Sequence, residues 1–334
     1  MKEKILVLGS SSFSGASMVK YLLDKNKYKI YGTFRRKKIS TYLPYKFSKN
    51  FRLFKEYKID FTKNSDHLLN IISKIKPKFI IDFASICMVN ESWKNSEIYF
   101  QINVLSKTRL IEYLSKQSFL KKYIYISTPE IFGSSKEFIN ENHNIFKPST
   151  PYATTKLCAE IILKNYFSNY KLPLIISRFS NFYGPGQPLY RLIPKIIACI
   201  DNKNKFPIQG NGKSKRNFIF SHDFCNGINK ILTKGKIGKT YHFSGNSFDS
   251  VMDIVRTICD IKTYDIKKLI RKTKSRIGQD FIYKLGSKKT KKELSWKPVY
   301  TLKKGLKEVI MYHNTNFTKI FKKQLIYKDK ILKK

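Results

Sequence analysis

The sequence predicts an α/β protein built around a doubly wound parallel sheet, and three features of its 334 residues support this prediction. Short apolar runs alternate with longer amphipathic segments throughout the first half of the chain. A glycine-bearing turn follows the first run, where a buried strand would lead into a helix. Strand–helix–strand units make right-handed crossovers, so their repetition covers both faces of one parallel sheet.

Periodicity places the individual elements. Buried strands are predicted at residues 5–8, 29–34, 79–83, 123–127 and 174–179, and helices at residues 16–23, 65–75, 98–114 and 154–166. Beyond Phe179, Asn-, Gly- and Pro-rich stretches at residues 181–188 and 207–217 are interpreted as loops of a smaller lobe. Strands at residues 218–220 and 239–243 and helices at residues 251–259 and 302–312 complete the chain.

These elements divide the chain into two predicted parts. The main domain takes residues 1–178 and about 218–247, and a smaller, discontinuous C-terminal lobe takes about 179–217 and 248–334. A chain of this length suits one large α/β unit with an attached lobe.

The net charge of +43 could indicate a polyanionic partner. The lysines are nevertheless spread from Lys2 to Lys334, and Ile, Asn, Phe and Tyr are also abundant, as an AT-rich genome would produce. We therefore predict no specific nucleic-acid partner, although the positive field would attract an anionic substrate. The basic tail after residue 317 is read as a frayed helix, with peripheral contact to a membrane surface as the alternative.

Cysteine usage and the N-terminus predict a cytoplasmic protein. Five scattered cysteines show neither a CxxC pair nor metal-ligand spacing with histidine, which indicates reduced thiols and no metal site. The first apolar run is too short for a signal peptide, and no stretch is long and apolar enough to cross a bilayer.

Residues 9–15, Gly-Ser-Ser-Ser-Phe-Ser-Gly, form the turn between the first strand and the first helix. Backbone N–H groups and a helix N-terminus at such a turn suit a pyrophosphate. Gly9, Ser12, Phe13 and Gly15 are therefore candidate dinucleotide-binding residues, with Ser12 where a middle glycine would allow the closest approach. The alternative is an ordinary tight turn.

The second strand is predicted to end near the adenosine ribose, where NAD sites usually place a carboxylate. Here Arg35 and Arg36 follow the strand, and paired guanidiniums suit a 2′-phosphate, which favours NADP while leaving NAD open. Asp60 is a candidate partner for the adenine amino group, with Phe61 beside it.

The pattern Tyr-x-x-x-Lys places a phenol and an ammonium on one helix face, where the lysine can lower the tyrosine pKa. Six pairs satisfy it: Tyr21/Lys25, Tyr42/Lys46, Tyr45/Lys49, Tyr152/Lys156, Tyr264/Lys268 and Tyr300/Lys304. Only Tyr152 follows a helix start, Ser149-Thr150-Pro151, with the strand end Ser127-Thr128 upstream. The pair Tyr152/Lys156 is therefore the candidate catalytic pair.

Around this pair the chain resembles the extended short-chain dehydrogenase/reductases, in the NAD-dependent epimerase/dehydratase family. The matching segments lie between residue 5 and about residue 296. They are Phe-Ala-Ser at 83–85, Ile-Ser-Thr-Pro-Glu-Ile-Phe-Gly at 126–133, Thr-Pro-Tyr-Ala-Thr-Thr-Lys at 150–156, and Arg-Phe-Ser-Asn-Phe-Tyr-Gly-Pro at 178–185. The last of these is a highly specific match.

Within the family, the stretches 187–194 and 276–280 are most similar to the nucleotide-sugar 4,6-dehydratases of the dTDP-glucose type. The resemblance implies a Rossmann sheet that binds NAD or NADP in the main domain, a nucleotide-sugar-binding smaller lobe, and a homodimer packed through the helices at residues 98–114 and 154–166. It adds cofactor-binding roles for Phe83, Ala84, Ser85, Asn103, Tyr152 and Lys156. It implies substrate-binding roles for Ser127, Asn181, Arg191, Leu192, Arg216 and Arg276, with Asn181, Arg216 and Arg276 on the diphosphate.

The resemblance also implies a mechanism. Tyr152 removes the proton of the sugar's C4 hydroxyl as hydride leaves C4, Lys156 lowers the tyrosine pKa and binds the nicotinamide ribose, and Thr128 hydrogen-bonds the same oxygen. Glu130 then abstracts the C5 proton, and water leaves C6.

One departure keeps alternatives open: Pro129 stands where the dTDP-glucose enzymes carry an acidic Asp. Either Glu130 also protonates the leaving group, or the protein is a 4-epimerase or decarboxylase of the same family. A non-catalytic NAD(P)- or polyanion-binding protein is the remote alternative.

Overall fold

The computed structural model describes residues 2–35, 42–63, 65–273 and 282–316. Within these ranges no helix combines the length and the apolar character needed to cross a membrane.

In the described part of the chain, seven parallel strands form the main sheet in the order β11-β7-β5-β4-β1-β2-β3. Their bounds are β1 Lys4–Leu8, β2 Lys29–Phe34, β3 Lys55–Lys58, β4 Phe79–Asp82, β5 Lys122–Ser127, β7 Leu174–Phe179 and β11 Thr240–Phe243. The chain reverses its direction of winding between β1 and β4, and ligands of doubly wound sheets bind outside the carboxyl ends of the strands at such a point. The predicted doubly wound α/β fold is confirmed.

Helices cover both faces of this sheet. They are α1 Phe13–Lys25, α2 Ser65–Ile75, α3 Val89–Lys94, α4 Ser96–Phe100, α5 Ser106–Ser115, α6 Pro151–Tyr170, α8 Ser221–Lys234 and α11 Lys288–Leu294. Strand β1 shows why the sequence reads as a continuous apolar run: Ile5 and Val7 enter one apolar core, and Leu6 and Leu8 enter the core on the opposite face.

Most of the remaining elements surround a third apolar core, whereas Ile139 and Tyr283 lie in a fourth, smaller one. The remaining elements are strands β6 Phe138–Ile139, β8 Asn181–Tyr183, β9 Phe206–Gln209, β10 Lys215–Phe220, β12 Phe248–Ser250, β13 Ile270–Thr273 and β14 Ile282–Leu285, and helices α7 Leu192–Asp201, α9 Val251–Ile261, α10 Ile266–Leu269 and α12 Leu302–Asn316. The order β12-β10-β14-β6, with β8 also paired to β10, makes one small sheet, and β13 pairs with β9.

The interpretation of residues 181–188 and 207–217 as loops is therefore wrong in part. Strands β8 and β9 begin in or beside these stretches, and β10 begins at Lys215. Each is short and pairs with chain far away in sequence, for example Phe218 with Asn181 and Arg216 with Tyr283. Such pairing leaves no local periodicity to read. The domain boundaries given above stay a prediction.

Candidate active site

The turn that joins β1 to α1 lies at the carboxyl end of the sheet. Ser12 caps α1, and its Oγ accepts a hydrogen bond from the Gly15 backbone N–H at 3.1 Å. A Cβ at Gly15 would lie 2.4 Å from the Gly9 carbonyl oxygen, so only glycine fits there. The helix N-terminus is thus held against a closely packed backbone turn, which is the cradle that a pyrophosphate requires.

The turn after β4 packs directly against this cradle. A Cβ at Gly9 would lie 3.0 Å from the Ala84 Cα, so the two backbones are in contact. The Ala84 N–H donates a 2.9 Å hydrogen bond to Asp82 Oδ1 at the end of β4. Phe83 is buried and Ser85 is half-buried. The strand ends of β1 and β4 therefore form one continuous surface.

Helix α6 carries the candidate catalytic pair. It begins at Pro151, and Thr150 caps it by accepting a 3.2 Å hydrogen bond from the Ala153 N–H. Tyr152 and Lys156 are 8% and 2% exposed. The Lys156 ammonium donates to Ser85 Oγ at 3.0 Å and to the Ile126 carbonyl oxygen at 2.8 Å.

The two members of this pair differ in how their environment shifts their pKa. Burial, assisted by the positive charge of Lys107, lowers the pKa of Lys156 to about 7. Burial, followed by the charges of Cys87 and Glu130, raises the pKa of Tyr152 well above 10, against smaller opposing effects of Thr128 and Arg191. Lys156 is not among the groups that lower the Tyr152 pKa, and its amine is directed to Ser85 and Ile126.

Thr128 and Glu130 follow directly from the end of β5. Thr128 is buried and begins a short 3-10 turn, where its Oγ1 accepts a 3.3 Å hydrogen bond from the Glu130 N–H. Thr128 also hydrogen-bonds the Tyr152 phenol, and the Glu130 carboxylate is close enough to raise the Tyr152 pKa. The structure therefore brings Tyr152, Thr128 and Glu130 together, with Pro129 buried between the last two.

Asn103 fixes the backbone of Ile86, the residue that follows Ser85. It lies in a π-helical stretch between α4 and α5 and is fully buried. Its Oδ1 accepts from the Ile86 N–H at 3.0 Å, and its Nδ2 donates to the Ile86 carbonyl at 3.1 Å and to Thr155 Oγ1 at 3.1 Å. Asn103 thus ties the strand-end turn to helix α6.

The predicted adenosine-side residues lie at the ends of β2 and β3. Arg35 follows β2 directly and is half-buried, whereas Arg36 lies outside the described residues. Asp60 Oδ1 accepts hydrogen bonds from the Thr62 N–H at 3.0 Å and the Thr62 hydroxyl at 2.7 Å. The Phe61 ring lies 5.0 Å from the Lys107 ammonium.

The predicted substrate residues lie in two separate sets. In the small sheet, Asn181 Oδ1 accepts a 2.7 Å hydrogen bond from the Tyr283 hydroxyl, and the Arg216 guanidinium lies 5.5 Å from the Tyr283 ring. Arg191 occupies the N-cap position of α7 without a side-chain capping hydrogen bond, and its charge opposes the rise in the Tyr152 pKa. Leu192 is the first residue of that helix. Ser127 is buried at the end of β5, and Arg276 lies outside the described residues.

Sequence reasoning missed two further residues at this site. Cys87 is exposed, accepts a 3.2 Å hydrogen bond from Arg191 Nη2, and contributes to the raised pKa of Tyr152. Glu56 accepts a 2.8 Å hydrogen bond from Ser10 Oγ beneath the glycine turn, and burial raises its pKa. The sequence contained one signal for Cys87, its position two residues after Ser85. Glu56 lies in a polar strand, and the sequence contained no signal for it.

With this geometry in place, comparisons with known proteins define the class of protein. The chain belongs to the family whose model is described as GDP-mannose 4,6 dehydratase, which matches residues 6–309. This confirms the predicted membership of the nucleotide-sugar epimerase/dehydratase group and the prediction that the protein is an enzyme of that group.

Individual relatives narrow the comparison. The chain is 32% identical over 278 residues to a dTDP-D-glucose 4,6-dehydratase of Dictyostelium discoideum, an alignment that covers 78% of this chain and 62% of the relative. A crystal structure of dTDP-glucose 4,6-dehydratase from Bacillus anthracis in complex with NAD is 27% identical, with a TM-score of 0.85, and covers 94% of this chain and 97% of that one. A UDP-glucuronic acid 4-epimerase from Bacillus cereus shares the fold at 24% identity and a TM-score of 0.84, over 93% and 99% of the two chains. These names favour the dehydratase prediction over the epimerase alternative.

Proposed function

We propose that the protein is a nicotinamide-dependent nucleotide-sugar 4,6-dehydratase. The observation that carries the proposal is that Thr128 and Glu130 both lie close to the buried phenol of Tyr152. Lys156, on the same helix as Tyr152, contacts the neighbouring turn at Ser85. A phenol and a carboxylate on the same substrate suit an oxidation at one carbon followed by a proton abstraction at the next. An epimerase that acts only at C4 has no use for the second group.

The glycine cradle and the Lys156–Ser85 contact fit a dinucleotide that runs from the β1–α1 turn to helix α6. Gly9, Ser12, Phe13 and Gly15 would hold its pyrophosphate, and Phe83, Ala84, Ser85, Asn103 and Lys156 would line its nicotinamide half. Bound there, an oxidised nicotinamide would supply a hydride acceptor for C4 and, once reduced, a hydride donor for C6.

The protein's own groups then act in order. Because burial raises the pKa of the Tyr152 phenol, the group must first release its own proton to solvent, and the phenolate that results acts as the base. Its oxygen then takes the proton of the C4 hydroxyl, while the Thr128 hydroxyl donates a hydrogen bond to the same sugar oxygen. The C4 ketone that results acidifies the C5–H bond, and the Glu130 carboxylate removes that proton. Burial of Tyr152 and Thr128 keeps bulk water from this step.

Loss of water from C6 needs an acid. Pro129 has no group that can donate a proton, so Glu130, protonated by the C5 step, returns its proton to the departing C6 oxygen. Reduction at C6 would then require a proton at C5, which the freed Glu130 carboxylate takes from solvent and delivers. A single carboxylate can serve both steps because the C5 proton and the C6 oxygen are bonded to neighbouring carbons. The family alternatives, a 4-epimerase or a decarboxylase, would leave this second role of Glu130 unused.

The diphosphate of the substrate would lie against Asn181, Arg216 and Arg276, with Arg191 and Leu192 at the sugar end. Guanidinium forks bind phosphate oxygens in pairs, which supports this assignment. The Tyr283 hydroxyl donates a hydrogen bond to Asn181 Oδ1, so the amide nitrogen of Asn181 is the group that would face an anion.

NAD is the cofactor in the Bacillus anthracis structure, and Arg35 at the end of β2 keeps NADP as the alternative for this chain. We also propose a homodimer, because Phe100, Leu105 and Ile161 on the helices predicted to pair are 38%, 63% and 50% exposed. The five cysteines are all free, which supports the proposed cytoplasmic location.

A substrate panel tests the proposal. The purified protein, with NAD or NADP, is incubated with dTDP-, UDP-, GDP- and CDP-hexoses, and the products are weighed by mass spectrometry. We expect one of these sugars to lose one water and to give a 4-keto chromophore in base. Tyr152→Phe should abolish the product, whereas Tyr264→Phe, from another Tyr-x-x-x-Lys pair, should retain it. An unchanged mass with altered stereochemistry would identify an epimerase instead.

A further inference from the structure

A charged pair lies buried behind the catalytic helix. Asp82 and Lys107 are 0% and 1% exposed, and the Lys107 ammonium donates to Asp82 Oδ1 at 2.7 Å and Oδ2 at 2.6 Å. The Tyr123 hydroxyl donates to Oδ2 at 2.5 Å and the Ala84 N–H to Oδ1 at 2.9 Å. Four hydrogen bonds from three donor groups fill the acceptor sites of this carboxylate, as an ionised Asp requires. A buried ion pair adds little net stability compared with apolar residues of the same volume, so stability alone does not account for it.

The pair is linked to the catalytic site by a continuous chain of contacts. Asp82 accepts a hydrogen bond from the Ala84 N–H, and the Ala84 backbone packs against the turn at Gly9. The next residue, Ser85, accepts the hydrogen bond of the Lys156 ammonium. On the other side, the Lys107 ammonium lies over the Phe61 ring at the predicted adenine end.

We propose that the Asp82–Lys107 pair is a positioning element of the active site, which holds the turn at residues 83–85 in place beside Lys156. Its two charges act on the Lys156 amine in opposite senses. The inference rests on the proposed function in so far as Lys156 is taken to face the nicotinamide ribose. Neither residue touches the substrate or cofactor in this proposal; both act through Ala84, Ser85 and Lys156.

The charges around Lys156 come from several elements. Lys107 on α5 lowers the pKa of Lys156, whereas Asp82 on β4, Glu160 on α6 and Cys87 after β4 raise it, and burial lowers it most. The Tyr125 ring on β5 lies 4.1 Å from the same ammonium. Removing the Lys107 charge and removing the Asp82 charge should therefore shift the Lys156 pKa in opposite directions. A neutral pair at these positions would produce no such opposition.

Three variants test this: Lys107→Gln, Asp82→Asn and the double variant, which keeps a carboxamide pair without either charge. The readout is the pKa of Lys156, followed by NMR of 13Cε-labelled lysine and assigned by loss of the signal in Lys156→Met. This readout needs no turnover, so it stays informative even if no sugar nucleotide is a substrate. Arg109→Met, two positions along α5 with a side chain that is 52% exposed, is the matched control.

We expect the Lys156 pKa to rise by about one unit in Lys107→Gln and to fall by about one unit in Asp82→Asn, with the double variant between them and Arg109→Met unchanged. The double variant leaves no buried charge unpaired, so we expect it to fold even if one of the single variants does not. In that case, the Lys156 pKa of the single variant that folds is compared with that of the double variant. It should be higher in Lys107→Gln and lower in Asp82→Asn. NADH affinity should weaken several-fold in Asp82→Asn. Equal pKa values in the double and the single variants, or shifts of the same sign, would overturn the proposal.

Discussion

The Lys156 ammonium donates a 3.0 Å hydrogen bond to the Ser85 hydroxyl, which joins helix α6 to the turn that follows strand β4. Through this contact the catalytic helix, the glycine cradle and the buried Asp82–Lys107 pair form one connected unit. A change in any part of the unit should therefore appear as a change in cofactor binding or in the sugar oxidation.

Replacing Glu130 separates the two chemical steps. In Glu130→Gln the phenol of Tyr152 keeps its other partners, so oxidation at C4 should continue, while loss of water should slow by about 10²–10⁴-fold because the C5 base is missing. Reduced cofactor measured by absorbance should build up in a single turnover. Glu137→Gln, at an exposed position on the same loop, serves as the control and should match the parent protein. Normal water loss in Glu130→Gln would remove Glu130 from the mechanism.

Gly15→Ala should damage the cofactor cradle. The new Cβ would meet the Gly9 carbonyl oxygen at 2.4 Å, and we expect a loss of about 1–3 kcal/mol in stability and at least tenfold weaker dinucleotide binding. Calorimetric titration with NAD and NADP measures the affinity. Gly286→Ala is the control, because its Cβ would come no closer than 3.4 Å to another atom. Equal affinities in the two variants would contradict the location of the cradle.

The first half of the fold was predictable because its strands are buried on both faces and therefore read as short apolar runs. Helix α8 was not predicted: Gly227 disrupts its helical pattern, and this glycine is required because a Cβ there would lie 2.2 Å from the Phe243 ring. Strands β8, β6 and β14 have two to four residues each, and their partners are distant in sequence. No local pattern encodes that pairing.

The candidate site likewise contains residues that the sequence predicts and residues that it does not. Tyr152, Lys156, Thr128 and Glu130 follow strand and helix ends that the sequence marks clearly. The Asp82–Lys107 pair could not be predicted, because Lys107 is one lysine among many in a strongly basic chain and its partner lies 25 positions earlier. Its only sequence signal is an aspartate at the end of an otherwise apolar strand.

Glu160→Gln should destabilise the fold by about 3–5 kcal/mol near neutral pH, because it leaves the buried Arg178 guanidinium without its carboxylate partner. Burial alone would raise the pKa of Glu160, but the Arg178 charge and hydrogen bonds lower it below 4.5 overall. The stability that this ionised group contributes is complete above the unfolded-state pKa and is lost as pH falls through the lower folded value.

The difference in unfolding free energy between the parent protein and Glu160→Gln should therefore shrink as pH falls from about 5 to about 3. Urea titrations monitored by circular dichroism measure it. Glu112→Gln, in an exposed pair with Lys116, should cost less than about 1 kcal/mol at every pH. A difference that grows on acidification would show that the sign assigned to Glu160 is wrong.

Leu105→Glu should disrupt the proposed homodimer. The Leu105 side chain is 63% exposed and lies between α4 and α5, on the face that would meet a second copy. A charge buried there costs several kcal/mol, so sedimentation should report a monomer. Ile237→Glu, at an exposed position after the end of α8, should leave the assembly unchanged. If both variants and the parent protein have the same mass, the interface lies elsewhere or the protein is a monomer.

The most direct test of the central claim is the reaction of the accepted nucleotide sugar in D₂O, with the product examined by mass spectrometry and NMR. If Tyr152 starts an oxidation at C4 and Glu130 abstracts the C5 proton, the product will have lost one water and gained one deuterium at C5. Tyr152→Phe should give neither change. A product of unchanged mass, or one that has lost water without deuterium at C5, would contradict the account.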